Sequence, residues 1–449
     1  MKKNIISFFL TLSLLFFTYS VNEYQNIYSF SHTSVKNKLN YLSSDYFKGR
    51  LAGTTENYEA TAFVKTEFQK LGLIPFNGDY YDPFDVNYPN RLEEKPYLKI
   101  FDKKGALLKE YRYGIDYKEE MLNFKKNHID FSSKDSIKSN ENVIQVTKGT
   151  DSFIFFTPSD NKLSFRSSFV NTNPQVQSMY IMLTKEALQD VSKNISKGYK
   201  ISCFIPFDIE NTTINNVAGF IKGKNTKSPP IIISAHFDHV GSDLSGTVYT
   251  GALDNASGIS FILEFCKYIK SLGTPERNII FIGFNAEEFG CLGSEHFADK
   301  YSSLVKGAKV YNFDMIGSSS VPLSIMGGKS DNDKTEFLHS VMSTCISEKI
   351  DYNFIFEDSS DHEAFRKNNI DALSFCDSDM SRIHTPEDKA SYIDTGAIDR
   401  CFRVASKEVI KNAFGSNPML LYNKHIVIFS GCAIIFFSLI HLIQIKKKL

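Results

Sequence analysis

Apolar and polar positions along this chain follow two periods, and the switches between them divide it. Val35 to Leu42 and Tyr58 to Leu71 place apolar residues three and four apart, the pattern of amphipathic helices, and Gly72 closes the second. Residues 92–205 change character. They are rich in Lys, Asn and Ser and carry short β-like runs at Tyr97–Phe101, Asn142–Gln145, Ser152–Phe156 and Tyr180–Leu183. A short helix over Lys185–Lys193 and a strand over Lys200–Ile205 complete that segment. From Asn215 onward strands and helices alternate. Val217–Ile221, Ile231–Ala235, Asn278–Phe284, Lys309–Phe313, Leu323–Met326, Asn353–Phe356 and Ala372–Phe375 read as strands. Asp254–Lys270, Asp333–Ile350 and Asp394–Asn412 read as helices. This alternation predicts an α/β fold: a three-layer αβα domain with a mostly parallel central sheet and a β-rich insertion that covers it as a lid or accessory.

Both ends are apolar. Met1-Lys2-Lys3 followed by Ile5–Phe17 has the charged start and apolar centre of a secretory signal peptide, with small residues for cleavage near Ser20; a retained anchor is the alternative. His425–Ile445 contains no Asp, Glu, Lys or Arg, and at about 1.5 Å per residue it covers roughly 30 Å, enough to cross a bilayer. The lysines that follow predict a cytoplasmic tail over 446–449 and a body outside the cytoplasm, at the cell surface or on the extracellular or lumenal side. The expected division is a signal peptide over 1–20 and an N-terminal part of the main domain over 21–91. The insertion over 92–205, the main domain over 206–420 and a transmembrane helix over 425–445 follow.

Lys plus Arg and Asp plus Glu number 51 each in the 449 residues, so nothing in the net charge points to nucleic acid as a partner. The seven cysteines form no CxxC pair, which argues against a structural zinc module or a thioredoxin-like site; their pairing is not readable.

The predicted strand ends carry the chemistry. His236 and Asp238 lie two apart on an extended segment and share a face. Asp254 precedes Asn255 and Gly258 at a helix start, Glu287-Glu288 follows the next strand, Asp314 ends another, and His384 lies before Thr385-Pro386. Each alone reads most simply as a cap, an exposed acid or a loop residue; Arg50, in a turn-rich loop, reads as a surface residue. Together, two histidines, two aspartates and a glutamate suit zinc, and a carboxylate shared by two ions is the geometry of a two-metal hydrolase.

The runs AHFDH, GALDNASG, NAEEFGCLGS, NFDMIG, SDHEAF and HTPED, over roughly 210–410, resemble the di-zinc aminopeptidases of the bacterial leucyl aminopeptidase and aminopeptidase Y type. Glutamate carboxypeptidase II, the transferrin receptor and glutaminyl cyclase are relatives. The resemblance implies a zinc-dependent aminopeptidase acting on peptides, with two Zn2+ per chain. His236, Asp254 and Asp314 would hold one ion and Asp254, Glu288 and His384 the other, with Asp254 bridging. Glu287 matches the family's general base and Asp238 the carboxylate that orients His236. The Asp254-Asn255 bond matches a cis position. His239 and His362 match no family ligand; His239 receives no role, and Asp361 with His362 is given a substrate-binding place. Where many members have Tyr before the last histidine ligand, this chain has Ile383. The end of the insertion resembles a protease-associated domain. A glutaminyl-cyclase-like transferase or a non-catalytic, receptor-like relative are the alternatives.

Overall fold

Ile231–His236 and Ile279–Phe284 are buried at every position, as strands covered by helices on both faces must be. Their alternate residues feed two different cores. Ile231, Ile233, Ala235 and Phe281 enter one, while Ile232, Ile280, Ile282 and Phe284 enter the other. The structure is a computed structural model describing residues 2–121, 124–169, 177–415 and 417–446.

These two strands lie at the centre of a nine-stranded sheet. Ile231–His236 pairs in parallel with Ile279–Phe284 and with Lys309–Phe313, which in turn pairs in parallel with Asp371–Cys376. The flanks are antiparallel: Phe207–Ile221 beside Ile279–Phe284 on one side, Leu323–Gly327 beside Asp371–Cys376 on the other. Tyr352–Phe356 closes the second flank. The sheet is therefore mixed, with a parallel centre. Helices His32–Leu42, Thr55–Lys70, Gly258–Ser271, Glu336–Glu348 and Thr395–Ala413 supply the larger core, and Leu292–Tyr301 and His362–Lys367 cover the opposite face. Helix starts follow local chemistry: Ser31, Thr54 and Asp394 each accept a hydrogen bond from a backbone N–H of the first turn.

Tyr81–Arg91 and Phe207–Ile221 form a long antiparallel ribbon, from Tyr81 opposite Val217 to Arg91 opposite Phe207. The first arm contains Pro83 and Pro89, which sit in it because it is an edge strand, paired on one side alone. Between the two arms, a four-stranded and a five-stranded sheet with the helix Lys185–Ser196 pack around a third core. That core also takes in Leu244, Ala286 and Phe289 from the main sheet's loops. It joins the insertion directly to the strand ends. The six cysteines from Cys203 to Cys401 are buried free thiols.

Helices Lys2–Asn26 and Asn423–Lys446 run antiparallel. Asn423 Nδ2 donates to Ser20 O (3.3 Å), Gly431 lies against Phe17, and Phe9 stacks on Phe437 with ring centroids 5.6 Å apart. Both are long and apolar enough to cross a membrane. The helix Lys2–Asn26 continues past Ser20, which is buried against its partner. Tail residues 447–449 lie outside the described residues.

Candidate metal centre

Parallel strands present their C-terminal ends together, and loops there meet in a crevice. His236 ends its strand, Asp314 follows Phe313, and Glu287 and Glu288 lie just beyond Phe284. Asp254 arrives from the irregular turn Ala252–Ser257 that leads into the helix Gly258–Ser271, and the Asp254–Asn255 peptide bond is cis. His384 comes from the loop after Asp371–Cys376.

The structure brings His236, Asp254 and Asp314 into one group and Asp254, Glu288, His384 and His239 into a second. His236 Nε2 lies 3.3 Å from Asp314 Oδ1 and 3.5 Å from Asp254 Oδ1. His384 Nε2 lies 3.1 Å from Asp254 Oδ2 and 3.1 Å from Glu288 Oε1. Asp254 thus turns one oxygen to each group. His239, given no role from the sequence, places Nδ1 3.0 Å from Glu288 Oε1 and 3.7 Å from Asp254 Oδ2.

These donors fit divalent cations. Buried carboxylates need compensating positive charge. The same carboxylates raise the proton affinity of the imidazoles that face them. Burial disfavours a charged His236, but Glu287 and Asp314 outweigh it; for His384, Glu288 and Asp254 do the same. The His236 and His384 Nε2 atoms, aimed at carboxylate oxygens, are equally placed to share a cation with them.

The surroundings fix each donor. Ser360 donates to Asp314 Oδ2 (2.7 Å) and accepts from Asn312 Nδ2 (3.0 Å). Asn312 Nδ2 also donates to Ser374 Oγ, 3.0 Å away. His362 belongs to this buried chain: Nε2 donates to Glu357 O (3.0 Å), so Nδ1 accepts from Ser374 Oγ (2.9 Å). Both ring nitrogens are engaged there, which leaves His362 none for a substrate. Asp361 is fully buried, with Ser294 its hydroxyl neighbour, and among the described residues neither carboxylate oxygen has a partner of good hydrogen-bond geometry. Burial pushes its carboxyl up to about 7. Asp238 Oδ1 stands 3.6 Å from His236 Nδ1, too far for a hydrogen bond, and its two oxygens accept the N–H groups of Glu287 and Glu288 at 3.1 Å each. Burial, with Glu288, Asp314 and Asp361, raises the Glu287 carboxyl well above the usual range against the pull of His236.

Three contributors escaped sequence reasoning. Arg50 is not at the surface. It is wholly buried beneath the acids and donates to Phe237 O (2.7 Å), Leu42 O (2.7 Å), Thr250 O (2.9 Å) and Gly251 O (3.0 Å). Burial lowers its pKa to about 10, opposed by Asp238, Asp254, Asp388 and Glu288. Asp388, the last residue of HTPED, accepts the N–H groups of Leu253 (2.8 Å) and Asp254 (3.0 Å). The insertion, read from the sequence as a lid or accessory, lays 165–169 on the centre. Phe165 stacks on His384 with centroids 5.8 Å apart, and Arg166 N donates to His384 O (3.1 Å). Ser168 Oγ donates to Glu288 Oε2 (2.5 Å), and Phe169 N to Glu288 O (2.8 Å). Ile383 packs against the main core and offers no hydroxyl.

Residues 216–409 match the family described as Peptidase family M28. Over 195 residues the chain is 33% identical to aminopeptidase YwaD of Bacillus subtilis, covering 41% of this chain and 41% of that protein. The chain thus spans less than half of that relative's length. Over 126 residues it is 31% identical to a glutamate carboxypeptidase 2 homolog of Caenorhabditis elegans, covering 26% of this chain and 15% of that one. In fold it is similar to the crystal structure of BSAP, a zinc aminopeptidase from Bacillus subtilis. The TM-score is 0.61 at 20% identity, over 87% of this chain and 97% of that one.

Proposed function

From the match of residues 216–409 to the model described as Peptidase family M28, we propose that this protein is a member of that family and a zinc-dependent aminopeptidase, hydrolysing peptides at their N-terminal residue. The observation that carries the reading is Asp254, whose two oxygens face two separate groups of donors. His236, Asp254 and Asp314 would hold one zinc ion and Asp254, Glu288 and His384 the other. When bound, such a pair lowers the proton affinity of a water and polarises a carbonyl.

The chain's own groups do the rest. Glu287, partly exposed at the crevice, accepts the proton of the attacking water and returns it to the leaving amine. Asp238 holds the Glu287 and Glu288 backbone in register with His236.

The two apolar helices anchor the protein. Their antiparallel packing sets Lys2, Lys3 and Lys446 at one end, which the positive-inside rule assigns to the cytoplasm, leaving the body on the other side.

The test is a panel of aminoacyl chromogenic substrates and end-blocked peptides, assayed with wild type and Glu287→Gln. Hydrolysis of free-amine substrates, lost in the variant while zinc stays bound, is expected. A well-folded Glu287→Gln protein that still turns over removes Glu287 from its role, and one zinc per wild-type chain removes the two-ion reading.

A further inference from the structure

The guanidinium of Arg166 is half unpaired, and from it we infer a second binding site. The cavity that Arg166 lines takes a small organic carboxylate, and the segment 165–169 carries its occupancy to His384 and Glu288.

Arg166 is 1% exposed. Its Nη1 donates to Glu119 Oε1 (3.0 Å) and its main-chain N–H to His384 O (3.1 Å). Nε and Nη2 have no hydrogen-bonded partner among the described residues. Those two nitrogens form one edge of the guanidinium, whose parallel N–H bonds match the two oxygens of a carboxylate. The acids nearby are engaged elsewhere. Glu119 also accepts from the Tyr113 hydroxyl, Glu120 accepts the Ser167 N–H, and Asp243 pairs with Lys118 Nζ at 3.1 Å. A buried charged donor without an acceptor is costly, so the empty edge points to an acceptor from outside the chain.

The cavity has the size and charge for one. Its volume of about 490 Å³ falls in the range of small-molecule sites. Lys48 and Arg91 line it with Arg166, and the one acid among its described lining residues, Glu56, is met by Lys48 Nζ at 2.6 Å. The helix Thr55–Lys70 opens on it and adds the positive end of its dipole. Tyr58 and Tyr88 give it flat apolar walls, which suit an organic group behind the carboxylate better than a bare inorganic ion. Neither Glu287 nor any of the proposed zinc ligands lines it, so it is separate from the crevice. The link between the two is short. Phe165 stacks on His384 and Ser168 donates to Glu288, so an anion that holds Arg166 also holds the segment that rests on both.

The full chain, zinc-loaded in mild detergent, is titrated by calorimetry with phenylacetate, with N-acetyl-alanyl-phenylalanine and with phenylacetamide. Saturable binding of a carboxylate probe is expected, and none of the amide. The tighter of the two acids tells whether the site takes a free small acid or the carboxylate of a peptide end. Arg166→Lys keeps a charge for Glu119 but lacks the fork, and should weaken binding roughly 10- to 100-fold. Arg91→Gln, at an exposed position of the ribbon, should weaken it without disturbing that buried pair. In wild type the bound probe should also slow amide hydrogen exchange across 165–169. No saturable carboxylate binding, equal binding of phenylacetamide, or an affinity unaltered in either variant (as a carboxylate resting on zinc would give) overturns the site. Exchange at 165–169 that is indifferent to the probe overturns the link.

Discussion

Arg50→Met isolates the buried cation under the centre. The arginine spans four main-chain carbonyls, those of Leu42, Phe237, Thr250 and Gly251, at 2.7 to 3.0 Å. It thereby ties the loop after His32–Leu42 to both ends of the segment that follows His236. Methionine fills similar volume and donates nothing. Each buried acceptor left unpaired costs about 1–3 kcal/mol. Thr250 O is partly accessible and recruits water, and Gly251 O keeps the Ala256 N–H, so the two remaining carbonyls at the low end give about 2 kcal/mol. Relief of burying a charge offsets part of this, and loss of the cation facing Asp238, Asp254, Asp388 and Glu288 adds to it. Against a typical total of roughly 5–15 kcal/mol, that is a large fraction. The assay is urea unfolding of the full chain in detergent at fixed zinc, followed by circular dichroism because the chain has no tryptophan. Arg50→Lys keeps the charge but lacks the planar fork that reaches four acceptors, so it should lose nearly as much. A Met variant unfolding at the wild-type midpoint, or a Lys variant that recovers all the stability, refutes the reasoning.

Further outcomes follow from the same geometry. Ser168→Ala removes the hydroxyl that donates to Glu288 Oε2 and should lower zinc affinity by roughly tenfold in a competition titration, with the His236 step unchanged. Stripping the metal should lower the thermal midpoint, since ligand at about 1,000 times its Kd is worth roughly 4 kcal/mol; an identical midpoint in apo and zinc-loaded protein speaks against a bound ion. Because the Lys2–Asn26 helix packs along Asn423–Lys446 through Ser20 and Phe9, protein extracted from membranes should retain it. An intact mass corresponding to a chain starting just after Ser20 shows instead that the pair is not kept.

The strands that carry the centre were legible because each is a short apolar run with a polar residue at its end, and burial on both faces leaves no other reading of IIISAH or IIFIGF. The ribbon arm Tyr81–Arg91 was not, since Pro83 and Pro89 argue against a strand until its edge position is known. Several insertion strands escaped for a related reason. Leu107–Glu110 is exposed throughout, and Ser136–Ser139 nearly so, which leaves no burial pattern to find.

At the centre, the residues missed share a physical cause. Arg50, His239 and Asp388 act on groups far along the chain, and nothing in their own neighbourhoods announces it. A buried arginine is costly unless several acceptors converge on it, and that convergence exists after the fold has closed two loops around its side chain. His239 differs from a surface histidine only because Gly251 lets the chain pass close beside its ring. The contact of 165–169 with His384 and Glu288 depends likewise on a core shared between the insertion and the loop bearing Ala286 and Phe289. Because Phe289 adjoins Glu288 and packs on Phe169 with centroids 4.9 Å apart, anything that loosens the insertion's core must also shift a carboxylate of the centre. The insertion is therefore part of the site's own support, and its removal should cost zinc affinity rather than substrate selection alone.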